Sequence, residues 1–87
     1  MDRKDEALEA AHAALKVAKP GDPQKARAYY NIACYKALSG MHEEALNNLS
    51  QAILLRDWYK AVARADPDFN STRNNPGFSR RFERIVT

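Results

Sequence analysis

One spacing occurs twice in this chain, and it constrains the fold more than any other feature. Ala45, Leu46, Leu49, Ala52 and Ile53 repeat the intervals of Ala7, Leu8, Ala11, Ala14 and Leu15, each pair 38 residues apart. Steps of one, three and four residues put each set on one stripe of an α-helix. Self-similarity at a period between about 20 and 50 residues marks a helical array, in which a helix pair buries its apolar side by stacking on the next pair.

The segments between and beyond these stripes are also helical. From Asp5 the first stripe runs through Ala18 and stops at Pro20-Gly21-Asp22-Pro23, where Asp22 is placed to cap a second helix and Pro23 to occupy its first turn. That helix, spanning 23–40, ends at Gly40, a natural left-handed cap. It carries two partly apolar stripes, Tyr29/Ile32/Ala33/Lys36 and Arg27/Tyr30/Asn31/Cys34/Leu38, which predicts a helix sandwiched between neighbours. A third helix over 43–56 follows. Asp57 offers a place for it to break, but with no Pro or Gly between Ile53 and Ala65 it is free to continue through Trp58 to residue 65.

The stretch DPDFNSTRNNPGF, Asp66 to Phe78, sets oxygen ligands at Asp66, Asp68 and Asn70 in the manner of a calcium loop. Such a loop needs glycine at its sixth position and a bidentate glutamate at its twelfth. Those positions hold Ser71 and Gly77, so no metal is expected. Asp66-Pro67 and Asn75-Pro76 read instead as two helix starts nine residues apart, the first yielding only a single turn because Asn70, Ser71, Asn74 and Asn75 compete for local backbone bonds. The second opens a last helix with Phe78, Phe82, Ile85 and Val86 as its anchoring stripe and Arg80 and Arg84 on the opposite side.

Composition excludes several function classes. Eighty-seven residues, 45% apolar and rich in alanine, suit one small all-α domain without a deep cleft. No apolar run reaches the roughly 18 residues of a membrane span, and the N-terminus MDRKDEALEA is too charged for a signal peptide, so a cytoplasmic setting is expected. Cys34, the single cysteine, fits a reducing compartment and reads as a small apolar spacer. His12 and His42 are expected to face solvent and have no zinc spacing, and the three glycines form no phosphate loop. The chain therefore reads as no enzyme and as needing no cofactor. Residues 1–55 are charge-balanced, and residues 56–87 carry the net +3, an excess too small to point to nucleic acid but compatible with an acidic partner.

YYNIACYKALSGMHEEALNNLSQAI resembles a tetratricopeptide repeat (TPR), with small residues at Ala33, Ala45 and Ala52, and Gly40 at the inter-helix turn. EALEAAHAALKVAKPGDP is similar to the second helix of a preceding repeat. ADPDFNSTRNNPGFSRRFERIV resembles the segment that caps some bacterial repeat arrays, in which Asp66, Asp68 and Asn70 serve as caps. The chain departs from these patterns at Lys36, at Asp57 and at Thr72, which stands where the cap usually has Leu or Ile.

The resemblance implies one TPR-like domain over 1–87: a repeat-like helix at 1–19, a helix pair at 23–40 and 43–56, and a capping segment at 66–87. It implies about one and a half repeats plus a capping helix. It further implies a module that binds a peptide or protein along the face of the 23–40 helix, at Arg27, Tyr30, Asn31, Cys34 and Leu38. Asn31 stands nine residues before Gly40, where some members grip a carboxylate, and Lys60 and Arg64 are the cations that the following segment could add. An acidic ligand and a partial anion site centred on Arg27 and Asn31 follow. The alternative is a structural end cap, or a module that self-associates through its N-terminal helix at Leu8 and Leu15.

Overall fold

Six α-helices and one 3-10 turn make up the regular structure of the described residues: α1 (Arg3–Val17), α2 (Pro23–Leu38), α3 (His42–Leu55), α4 (Tyr59–Ala65), the turn Pro67–Phe69, α5 (Asn70–Arg73) and α6 (Ser79–Val86). The computed structural model describes residues 3–17, 19 and 21–87. Ala18 and Pro20, and the side chain of Ala7, lie outside the described residues.

The ends of α2 follow from local chemistry. Asp22, in extended backbone, accepts a hydrogen bond from the Gln24 amide at 2.9 Å, and Pro23 occupies the first turn. At the other end Gly40 adopts φ +79°, its amide bonds the Ala37 carbonyl, and the Met41 amide bonds the Lys36 carbonyl. This Schellman arrangement satisfies the last carbonyls and turns the chain sharply into α3. Glu43 and Glu44 then sit in the first turn of α3, where negative charge is favourable.

Helix α2 is sandwiched, but not on the two stripes expected: Ile32 and Ala33, assigned to one stripe, go to opposite sides, and the buried Ala26, Ala28 and Ala37 belong to neither. Ala28 and Ile32 meet Ala11 of α1, with Leu8, Ala14 and Leu15 packed around them. On the other side Ala26, Tyr30, Ala33 and Ala37 join Ala45, Leu46, Leu49 and Ala52 of α3 in the main core. The run of alanines lets the two backbones approach closely, so a small chain still forms a dense core.

The third helix does not continue to residue 65. Arg56 is extended, at φ −146° and ψ 106°, and α4 restarts after a turn in which the Tyr59 and Lys60 amides bond the Arg56 and Asp57 carbonyls. Neither Pro nor Gly causes the break. A straight helix from residue 42 to 65 would run past the start of α2 and leave Tyr59 and Ala63 uncovered. With the break both are buried, and the Tyr59 ring stacks on Tyr30 at 4.7 Å.

The C-terminal segment closes the core. Phe69 is wholly buried against the rings of Tyr30 and Phe82, at 5.8 and 5.7 Å. Phe82 and Val86 are buried, Phe78 and Ile85 half-buried, and Arg80 and Arg84 exposed, which is the division expected of α6. Asp66 and Asn75 act as caps, whereas Asp68 lies within the 67–69 turn and Asn70 opens α5 with its side chain accepting from Arg73, and the regular last helix starts only at Ser79. Asn75 Oδ1 accepts from the Gly77 amide, and residues 76–78 make a turn before α6.

Thr72 is wholly buried, and its hydroxyl lies 2.8 Å from His42 Nδ1, so its polar group is satisfied in the core. His42 is accordingly half-buried and not turned to solvent. Arg73, the first residue of the R-x-x-P-x-F pattern in the capping resemblance, was given no contact by the sequence. Its Nη2 donates to the carbonyls of Ala63, Arg64 and Asp66 at 2.9 to 3.2 Å, capping the C-terminus of α4, while the guanidinium lies 5.1 Å from the centre of the Phe82 ring.

Candidate functional site

The residues expected to form one ligand face are dispersed over the molecule. Arg27 and Asn31, one turn apart and both exposed, line a cavity of about 240 Å³ together with Gln24, over a floor of Ala10, Ala14 and Ala28. This cavity lies in the groove between α1 and α2. Leu38 is exposed at the far end of α2. Lys60 is half-buried and paired with Asp57 at 3.1 Å. Arg64 borders a second cavity, of about 460 Å³, formed with Arg73, Phe82, Glu83 and Val86 at the C-terminal end.

Tyr30 does not belong to an accessible face. It is buried beneath α4 and the 67–69 turn, and its hydroxyl donates to Asp66 Oδ2 at 2.5 Å. Cys34, one turn on, is half-buried, with its Sγ 3.8 Å from the same oxygen. The reason lies in helix geometry. Tyr30 and Asn31 stand at opposite margins of a stripe about 100° wide, so one margin reaches α4 while the other reaches α1.

Cys34, Asp66 and Asp68 bring a thiol and two carboxylates within 4.8 Å of one another, a grouping not apparent from sequence because 32 residues separate Cys34 from Asp66. Its chemistry is that of a hydrogen-bonded corner. Asp66 Oδ1 accepts from the Asp68 amide at 2.9 Å, so both carboxylate oxygens already hold protein donors. The Cys34 thiol is pushed up to about 12, first by burial and then by the charges of Asp66 and Asp68. A metal ligand or nucleophile must be a thiolate, and these surroundings oppose one.

Burial, and next the bond to Asp66, also raise Tyr30. Both groups hold their protons more tightly folded than unfolded. Their contribution to stability is therefore complete below the unfolded thiol value of about 8.5 and declines as pH rises toward 12. Urea melts between pH 8 and 11 should show falling stability, and Cys34→Ala should flatten the first part of that fall. At the acid end, Arg81 grips Glu43 with two bonds of 2.6 and 3.1 Å and holds its carboxyl below the ordinary value. This exposed pair contributes above the unfolded carboxylate range and is lost as pH falls through the lowered value.

No described helix is long and apolar enough to cross a membrane. Comparison of the chain with protein-family models, with curated proteins and with solved structures finds no match.

Proposed function

We propose that the chain is a noncatalytic, TPR-like interaction module that binds an acidic peptide segment in the groove between α1 and α2. One observation carries the reading: Arg27 and Asn31 project side by side, with Gln24, over an alanine-floored cavity of about 240 Å³. A guanidinium and two amides can donate to a carboxylate, and the alanines leave room for its stem. The repeat reading is supported by the stripes 38 residues apart. Ala45, Leu46, Leu49 and Ala52 are buried, while Leu8, Ala11, Ala14 and Leu15 pack on α2 in the same sense. With Tyr30 and Cys34 committed to the core, Arg27, Asn31 and Gln24 are the centre of the site. Lys60 and Arg64 lie on other elements and are not needed for it.

The groove is short, so an affinity of roughly 10–100 µM is expected for a peptide ending in acidic residues. A chemical-shift titration should perturb Gln24, Arg27 and Asn31, and Arg27→Glu should abolish the effect. Shifts confined to Arg80, Arg81 and Arg84 would sink the reading.

The alternative, self-association through α1, draws support from the exposed Ala10, Ala13 and Val17. Leu8 and Leu15 pack against α2, so substitutions there would loosen the fold itself and cannot report on association. Ala13→Glu is the suitable variant, and a dimer that it dissociates in solution scattering would favour this alternative.

A further inference from the structure

The end of the molecule where α3 gives way to α4 carries three of the exposed large apolar side chains among the described residues. Leu54 is 79% exposed, Trp58 59% and Leu55 39%. Val17, at the C-terminal end of α1 and 78% exposed, lies at the same end, because α1 and α3 both run toward it. Singly exposed apolar residues are ordinary, but Leu55 of this group, with Arg56, also lines a notch of about 110 Å³ completed by Gly21, Asp22, Pro23 and Ala26 at the start of α2. The notch is about the size of one leucine-like side chain.

Charge at this end is one-sided. Residues 16–25 and 54–60 hold five Lys/Arg and two Asp/Glu, so the excess here equals the +3 of the whole chain. Both acids are occupied locally, Asp22 as the cap of α2 and Asp57 as the partner of Lys60. Lys16, Lys19 and Arg56 are exposed. The Arg56 guanidinium sits 5.6 Å from the centre of the Trp58 ring, and that ring packs edge-on against Tyr59, itself fixed on Tyr30. Tryptophan and arginine are both enriched at the energetic centres of protein interfaces, and holding the exposed tryptophan in place in advance lowers the ordering cost of binding.

We propose that this end is a second docking surface, distinct from the α1/α2 groove, whose occupant is an acidic protein segment that inserts one bulky apolar side chain into the notch beside Leu55. The positive excess matches an acidic segment and opposes a second copy, which would bring two like-charged ends together. The concave notch favours a protruding side chain over the flat surface of a lipid bilayer.

Trp58 is the only tryptophan, so its fluorescence reports directly on this surface. A short oligoglutamate peptide with one central leucine should shift Trp58 emission to the blue in a saturable way. Replacing that leucine by alanine should weaken the effect. Arg56→Glu and, separately, Lys19→Glu should weaken binding roughly tenfold while circular dichroism stays unchanged. Leu55→Ser should weaken it without any change in charge, and Arg27→Glu should leave it intact. The proposal is overturned if no shift occurs, or if an oligolysine analogue gives the same shift. Emission shifting only with phosphatidylglycerol vesicles would overturn it in favour of a membrane. Loss of the effect in Arg27→Glu but not in Arg56→Glu would assign the peptide to the groove instead.

Discussion

Phe69→Ala is expected to lower the melting temperature by roughly 20 °C or more, the largest effect of any single truncation in this chain. The ring is wholly buried and bridges Tyr30 of α2 to Phe82 of α6. Removing a buried phenylalanine costs about 3–5 kcal/mol through lost transfer energy and the cavity left behind. Each kcal/mol displaces the melting point of a domain this size by roughly 4–8 °C. A domain of this length has a stability near the low end of the usual range, so much of the variant population would be unfolded at body temperature. Phe69→Leu should cost far less, about 1 kcal/mol, because most of the volume is kept. Phe78→Ala, at a half-buried position, should fall between the two. Thermal melts followed by circular dichroism decide the order, and equal melting points for Phe69→Ala and Phe78→Ala would contradict the packing described here.

Asp66→Ala is expected to cost about 3 kcal/mol, from two separable sources. Losing the cap on the Asp68 amide accounts for roughly 1 kcal/mol. Leaving the buried Tyr30 hydroxyl without its acceptor accounts for roughly 2. In a Tyr30→Phe background there is no hydroxyl to strand, so Asp66→Ala should then cost only about 1 kcal/mol. Urea denaturation of the four members of this cycle measures the difference. An identical cost in both backgrounds would mean that the Tyr30–Asp66 link adds nothing to stability.

Features set by neighbours in sequence were legible; those set by neighbours in space were not. Asp22-Pro23 and Asp66-Pro67 act where they stand because each aspartate caps an amide two residues on, and Gly40 because its left-handed turn bonds carbonyls a few residues back. The stripes of α3 and α6 were legible for the same reason, since periodicity alone states which side is apolar. Tyr30 was not. It shares a stripe with Arg27 and Asn31, and only the position of α4 decides that one margin of that stripe is covered. That position depends on the break at Arg56, which has no breaker residue and arises from burial of Tyr59 and Ala63 further on. The His42–Thr72 bond and the carbonyls held by Arg73 likewise join parts of the chain with no periodic relation. The candidate site was half legible: the Arg27–Asn31 pair is one turn of helix, but Gln24 and the alanine floor required the placement of α1.

Helix α1 meets the rest of the molecule chiefly through α2, around the small cluster of Ala11, Ala28 and Ile32. Helices α2, α3, α4 and α6 and the 67–69 turn share the larger core, cross-linked by Arg73, Asp66 and the Glu43–Arg81 pair. Hydrogen exchange would therefore proceed on two rungs, with α1 detaching at modest free energy while α2 and α3 open only with the whole. Ala10 and Ala14 of α1 supply part of the floor beneath Arg27 and Asn31. When α1 lifts away that floor goes with it, so a peptide bound there, as proposed, would select the closed state. Its binding and the docking of α1 would then be one linked equilibrium, with slowed amide exchange in α1 as the signature of occupancy.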